Sequence, residues 1–211
     1  MWATLLLILA LAFRTDAGCS PHWCSQHGLC SGPGDDAYCI CEYGFAGSDC
    51  TRRLCPKGVN PLNPITHKTI TMKTSSAKEK LQGTLTVSFL SEEFTMSASA
   101  ISANELATLF SSMKNLDTVE VSRGDVDDNL GTTYTITFVK WPTIPYENNL
   151  FSHDGSPSLA SFSCNTTLVQ EAFSPKCEFK NVVQTGSLYE ACSGKGVCDE
   201  QRGKGTCDPG W

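Results

Sequence analysis

The chain has 211 residues, 12 of them cysteine, and a formal net charge of −6 from 16 basic and 22 acidic side chains. So much cysteine does not suit a reducing cytosol, and 18% charged against 40% hydrophobic residues argues against a disordered polyelectrolyte. The acidic balance, with a sequence pI near 5.2, argues against nucleic acid as a partner, because phosphate-backbone binding needs clustered Lys and Arg. Seven cysteines fall between Cys19 and Cys55, none between 56 and 163, and Cys164, Cys177, Cys192, Cys198 and Cys207 follow. The chain therefore reads as modular: cysteine-rich, cysteine-poor, cysteine-rich.

Residues 4–13 form an apolar run. It is too short for a bilayer core of roughly 30 Å and suits the apolar core of a secretory signal. Thr15 and Ala17 stand at the −3 and −1 positions of a small-residue cleavage site before Gly18, so residues 1–17 read as a signal peptide. Export also explains the cysteines, since an oxidising compartment lets them pair. No later stretch is apolar enough to anchor in a membrane; attachment would require an anchor in a longer form.

The next segment is spaced Cys19-x4-Cys24-x5-Cys30-x8-Cys39-x1-Cys41-x8-Cys50. Six cysteines allow fifteen pairings, and arithmetic does not choose among them. A module this small needs covalent staples rather than a core. Gly28, Gly44 and Gly47 mark places where the chain turns with positive φ or passes close to itself. Tyr43 and Phe45 are its candidate packing residues. A zinc site is the competing chemistry for clustered cysteine, and export favours disulfides.

The run Cys39-Ile-Cys41-Glu-Tyr-Gly44-Phe45-Ala-Gly47-Ser-Asp-Cys50, preceded by Cys24-Ser-Gln-His-Gly28-Leu-Cys30, resembles the signature of EGF-like domains. The resemblance covers residues 18–50. It implies disulfides Cys19–Cys30, Cys24–Cys39 and Cys41–Cys50 and a small two-stranded β core. Calcium-binding members of that family carry acidic residues before the first cysteine and an Asp or Asn after the third. Ser31 and Gly32 follow Cys30 here, so a calcium-independent module is expected, with no metal and no cofactor.

Residues 51–64 read as a proline-stiffened hinge, with Arg53-Leu-Cys55-Pro56-Lys-Gly58, Pro61 and Pro64. Cys55 has no evident partner. The periodicity then changes. In residues 83–90, Leu85, Val87 and Phe89 alternate with Thr84, Thr86 and Ser88, and in 132–139 Tyr134, Ile136 and Phe138 alternate with threonines. Both patterns predict half-buried strands of an antiparallel sheet. Residues 65–72, 118–122, 158–164 and 177–183 are weaker strand candidates. Ser102-x-x-Glu105 is a capping box, Ile101 and Leu106 form a hydrophobic staple, and Leu106, Leu109, Phe110 and Met113 make one apolar stripe. The expectation for residues 65–186 is an α+β two-layer domain, an antiparallel sheet carrying one helix. Cys164 and Cys177 would staple the loop between its last two strands, and Asn165-Thr-Thr167 is a glycosylation sequon.

Cys192-Ser-Gly-Lys-Gly196-Val-Cys198 repeats the pattern of residues 24–30, and Cys207-Asp-Pro-Gly210-Trp211 that of residues 41–45. The position aligned with Cys39 is Gly205, and the counterpart of Cys50 would lie beyond Trp211. Residues 187–211 therefore resemble an EGF-like domain cut in mid-module, with Cys192–Cys207 as its candidate pair, and the chain reads as a fragment. The whole layout resembles modular cell-surface proteins of unicellular eukaryotes.

No motif carries catalysis. His22, His27, His67 and His153 are scattered, and neither His-Glu-x-x-His, Gly-x-Ser-x-Gly nor a phosphate loop occurs. Arg123-Gly124-Asp125 is the tripeptide that integrin-type receptors recognise, and it falls between two predicted strands; a polar turn is the plainer account. Asp125, Asp127 and Asn129 alternate like calcium ligands, but Gly131 is a residue late and Ile136 stands where a glutamate is needed. The threonine faces, Thr84 and Thr86 with Thr133, Thr135 and Thr137, could bind sugars, yet a solvated sheet face accounts for them. The expected function is a secreted or cell-surface protein, non-catalytic, with a structural or adhesive role toward an extracellular protein or receptor. The alternative is a soluble ligand or effector acting through the loop at Arg123–Asp125.

Overall fold

The computed structural model describes residues 19, 24–144, 153, 155–166 and 175–209, without the side chains of residues 35 and 207. The expected signal peptide lies outside them.

The first cysteine module consists of two short antiparallel pairs. Strand β1 (Gly28–Ser31) pairs with β2 (Tyr38–Cys41), with Cys30 opposite Cys39; β3 (Phe45–Ala46) pairs with β4 (Arg52–Arg53). Disulfides join Cys19 to Cys30, Cys24 to Cys39 and Cys41 to Cys50, the three pairs the resemblance implies. The buried residues of this cluster are cysteines 19, 24, 41 and 50, so the disulfides themselves are its core. Phe45 packs against them and stacks on His27 with ring centroids 3.8 Å apart, whereas Tyr43 is half exposed and is not among the residues packed on this cluster. Gly28 is required by close approach: a Cβ there would lie 2.5 Å from the Ile40 carbonyl and 2.9 Å from Cys50 Sγ.

The cysteine-poor region is built from alternating strands and one helix, as its periodicity predicts, but the strands form two sheets rather than one. Strands β6 (Lys68–Ser76), β9 (Thr118–Arg123), β10 (Thr132–Lys140) and β12 (Pro175–Val183) make a four-stranded antiparallel sheet in the order β12-β6-β10-β9. Strands β7 (Thr84–Phe89), β8 (Glu92–Ser97) and β11 (Phe162–Asn165) make a three-stranded sheet in the order β11-β7-β8. Strand β8 escaped the sequence reading. It follows β7 after a two-residue turn whose first residue is Leu90 at φ 55°, a position where glycine is usual.

One core joins the two sheets. Ile70 and Met72 from β6, and Tyr134, Ile136 and Phe138 from β10, are buried with Leu85, Val87 and Phe89 of β7, Phe94 and Met96 of β8, and Phe162 of β11. Helix α1 (Ala103–Ser111) adds Leu106 and Phe110. Its N-cap is Ser102, whose Oγ accepts from the Glu105 N–H at 3.2 Å. Phe110 meets Phe94 and Phe162 edge-on, at centroid distances of 5.1 and 5.9 Å. The disulfide Cys164–Cys177 ties the edge strand of one sheet to the edge strand of the other.

The second cysteine module contradicts the hinge reading of residues 51–64. Strand β5 (Lys57–Val59) lies inside that segment and pairs with β13 (Tyr189–Ala191), and Cys55 is joined to Cys198 across 143 residues. Strand β14 (Gly196–Asp199) pairs with β15 (Lys204–Cys207). The α+β domain is thus an insertion between the first and second cysteines of this module. Its two ends meet, since the Thr66 N–H donates to Ser187 Oγ at 2.8 Å and the Ser187 N–H to the Thr66 carbonyl at 3.0 Å. Domains whose ends lie close together tolerate being inserted in this way.

Candidate functional site

The two cysteine modules repeat each other in detail. Each opens on three consecutive residues in the left-handed region, Cys24–Gln26 and Cys192–Gly194. Each turn is closed by the same backbone bond, His27 N–H to Cys24 O at 2.9 Å and Lys195 N–H to Cys192 O at 3.0 Å. The hairpins share one register: Gly28 faces Cys41 and Cys30 faces Cys39 in the first, Gly196 faces Cys207 and Cys198 faces Gly205 in the second. A last bond recurs too, Glu42 N–H to His27 O at 2.7 Å and Asp208 N–H to Lys195 O at 2.9 Å. Cys55–Cys198 takes the place that Cys19–Cys30 holds in the first module. The counterpart of Cys24–Cys39 is missing because residue 205 is glycine. Cys192 is the free thiol among the described residues, so the Cys192–Cys207 pair suggested by the sequence does not form. A Cβ at position 205 would run into Cys192 Sγ.

The modules also touch directly. The Arg53 N–H donates to the Glu200 carbonyl at 2.8 Å, the Leu54 N–H to the Gly44 carbonyl at 2.9 Å, and Arg52 Nη1 reaches Glu200 Oε1 at 3.3 Å. The Arg53 guanidinium lies 5.3 Å from the Phe45 ring centroid, a cation–π contact between the paired strands β4 and β3 of the first module. A cleft of about 390 Å³ opens along this junction between Arg52, Arg53, Lys57, Tyr189, Glu190 and Glu200. None of these residues was singled out from the sequence for a site. Their chemistry is ordinary, and only the pairing of β5 with β13 brings them together.

Arg123, Gly124 and Asp125 lie at the end of β9, all exposed. The tripeptide is not the tip of its loop. The Gly124 N–H extends the strand ladder to the Thr133 carbonyl at 2.8 Å, and Thr132 Oγ1 donates to the Gly124 and Asp125 carbonyls at 3.1 and 2.9 Å. Gly124 does not carry a positive φ, so it does not supply the bend. Arg123 Nη1 donates to the Ile101 carbonyl at 2.9 Å, just before α1. The Tyr134 hydroxyl bonds to the same residue, accepting from the Ile101 N–H at 2.8 Å. Burial raises the Tyr134 pKa above that of an ordinary tyrosine, against the opposing influence of its backbone bond to Ile101 and of the Arg123 charge.

The turn itself belongs to Asp127, whose Oδ1 accepts from the Asn129 and Gly131 N–H groups at 2.9 and 2.8 Å. Asn129 spends its side-chain amide on the Ser76 carbonyl at 3.1 Å. These side chains hold a turn, which accounts for their alternation without a cation. Asn165 is exposed at the end of β11, accessible to modification; Thr167 of its sequon lies outside the described residues.

The histidines are not gathered. His27 stacks on Phe45, and the buried His153 accepts from the Gly155 N–H at Nδ1 and bonds the Asn115 carbonyl through Nε2 at 2.6 Å. Among the described residues, the one His, Cys or acidic group dense enough for a metal is Cys19, Cys24 and Cys39, and all three are in disulfides. The thiolate, not the disulfide, is the metal ligand. Among the described residues no helix is long and apolar enough to cross a membrane. No family model matches this chain, and no match was found among curated proteins or solved structures.

Proposed function

We propose that this chain is a secreted or cell-surface protein with two EGF-like modules, non-catalytic, and structural or adhesive in role. Its α+β domain offers the surface that meets an extracellular protein or receptor. The supporting observation is the recurrence of one cysteine-stapled unit, with the same left-handed turn, hairpin register and closing bonds, at residues 19–50 and again around Cys55 and Cys192–Cys207. Five disulfides fit assembly in an oxidising compartment. Small stapled units of this kind serve as rigid spacers because covalent bridges replace the core they are too small to build. Expressed in eukaryotic cells from its own first residue, the full chain should appear in the medium, and Asn165→Gln should remove the mass of one glycan. Surfaces coated with that protein should hold cells. Retention in the cytosol with reduced cysteines, or attachment no greater than to an inert protein coat, would sink this reading.

The soluble-ligand alternative draws on the exposure of Arg123, Gly124 and Asp125. If these residues engage an integrin-type receptor, Asp125→Glu abolishes attachment of receptor-bearing cells. Unchanged attachment discards the alternative and leaves the adhesive reading standing.

A further inference from the structure

The disulfide Cys55–Cys198 does more than close the second module. It spans the base of the inserted domain with its two Cα atoms 5.9 Å apart, while the two cysteines stand 143 positions apart along the chain. Behind it the chain is fastened a second time. The Cys192 N–H donates to the Pro56 carbonyl at 3.0 Å, and β5 pairs with β13 through Lys57 opposite Ala191, Gly58 opposite Glu190 and Val59 opposite Tyr189. Cys55 is 3% exposed, so the bond's first sulfur is sheltered from soluble thiols. On the other side of the bond, the first module joins the second through Arg52, Arg53 and Leu54 without any residue of the inserted domain between them.

Two paths therefore lead from residue 55 to residue 198, one covalent bridge and one folded domain. They lie in parallel. Under tension along the chain the short inextensible path carries the force, and the long path stays slack until the bridge breaks. We propose that the α+β domain is a pendant domain, held off the load path, and that force passes from the first cysteine module to the second through Cys55–Cys198. The domain keeps its fold, and so the shape of any binding surface, while the modules are pulled. This inference is independent of what the domain binds.

Two measurements on the full chain test it. In the first, a protease site is inserted between Lys78 and Glu79, in the exposed segment joining β6 to β7. After cleavage and denaturation in detergent the wild-type background should run as one species without reductant and as two with it, because Cys55–Cys198 is the one described disulfide that spans the cut. In the C55S/C198S background the halves should separate without reductant. Separation in the wild-type background, or a single species in the double variant, overturns the proposal.

In the second, the oxidised protein is stretched between handles fused to its two ends. Wild-type traces should lack any step from the inserted domain. The double variant should gain extension on the order of 500 Å, from 143 residues at roughly 3.6 Å each. That contour length is released whether or not the variant folds. Equal extensions in the two proteins overturn the proposal.

Discussion

The first and second cysteine modules share a turn, a hairpin and a register, yet they are assembled differently. In the first, all six cysteines lie within residues 19–50 and every one is paired. In the second, the first cysteine comes from residue 55 and the others from residue 192 onward, and Cys192 stays a free thiol. The difference teaches that the unit is defined by its hairpin and turn, not by continuity of chain. Loop-closure entropy rises only as the logarithm of loop length, so a long insertion adds little cost once the inserted domain brings its own ends together. The chain-entropy model correspondingly assigns Cys55–Cys198 about 5 kcal/mol, against about 3 kcal/mol for Cys164–Cys177.

A separation of the two kinds of stability should break the comparison most sharply. Phe89 is fully buried and stacks on Phe162 with centroids 4.0 Å apart. Phe89→Ala should cost the inserted domain about 3–5 kcal/mol and leave the first cysteine module intact. Amide hydrogen exchange resolved by residue checks this: protection should fall across β6 to β12 and persist in β1 and β2. Equal loss in both regions would show that they unfold as one unit.

Repairing the second module sharpens the comparison. Gly205→Cys places a thiol against Cys192 Sγ, the far end of a flexible side chain that can give way. The new bridge from Cys192 to position 205 should raise stability by about 3 kcal/mol. Peptide mapping without reductant should recover that pair, and the denaturation midpoint should rise. Survival of the Cys192 thiol in the variant would show that the two hairpins are less alike than their register.

Ser102→Ala removes the side-chain acceptor for the Glu105 N–H and should cost about 1 kcal/mol of the inserted domain's stability, read in a urea titration. The smallest effect lies in the first module. Asp49 accepts from both the hydroxyl and the N–H of Thr51, and those bonds hold its carboxyl below the usual range. A folded pKa below the unfolded one means that the contribution is present above the ordinary carboxylate value and is lost as pH falls through the depressed one. Asp49→Asn should therefore remove a small increment of first-module stability that is present above the ordinary carboxylate range and lost in strongly acidic solution, seen as a flatter acid limb in a pH titration of the Asp49 neighbours by NMR.

Much of this was legible from one-dimensional pattern. The spacing of the first six cysteines, with the resemblance it carries, leads to the three bridges present. Leu85, Val87 and Phe89, and Tyr134, Ile136 and Phe138, point to the core as their alternation requires, and Ser102 caps the helix that begins at Ala103. These are local properties: a period of two or of 3.6 reports which side of an element is apolar. Alternation does not report which partner strand lies alongside, so β6, β9, β10 and β12 were not separable from β7, β8 and β11 as two sheets. The candidate sites divide in the same way. The sequence pattern puts Arg123–Asp125 in the loop between two strands, whereas Arg123 ends β9 and Gly124 extends its ladder, and the bond from Arg123 to the Ile101 carbonyl joins residues 22 apart. The junction cleft left no signal, because Arg52, Arg53, Lys57, Glu190 and Glu200 become neighbours only when β5 meets β13.

The cysteine count shows where the division falls. By itself the sequence determined that the chain is modular, stapled by disulfides at both ends and supported in the middle by an apolar core, since spacing and periodicity are short-range and survive in one dimension. Only the tertiary structure decided that the middle is inserted into the last module, because Cys55 and Cys198 are 143 residues apart and their approach depends on a whole domain folding between them. The same holds for Cys192. Its free thiol is set by a glycine across a hairpin, a fact of register that no count of cysteines contains.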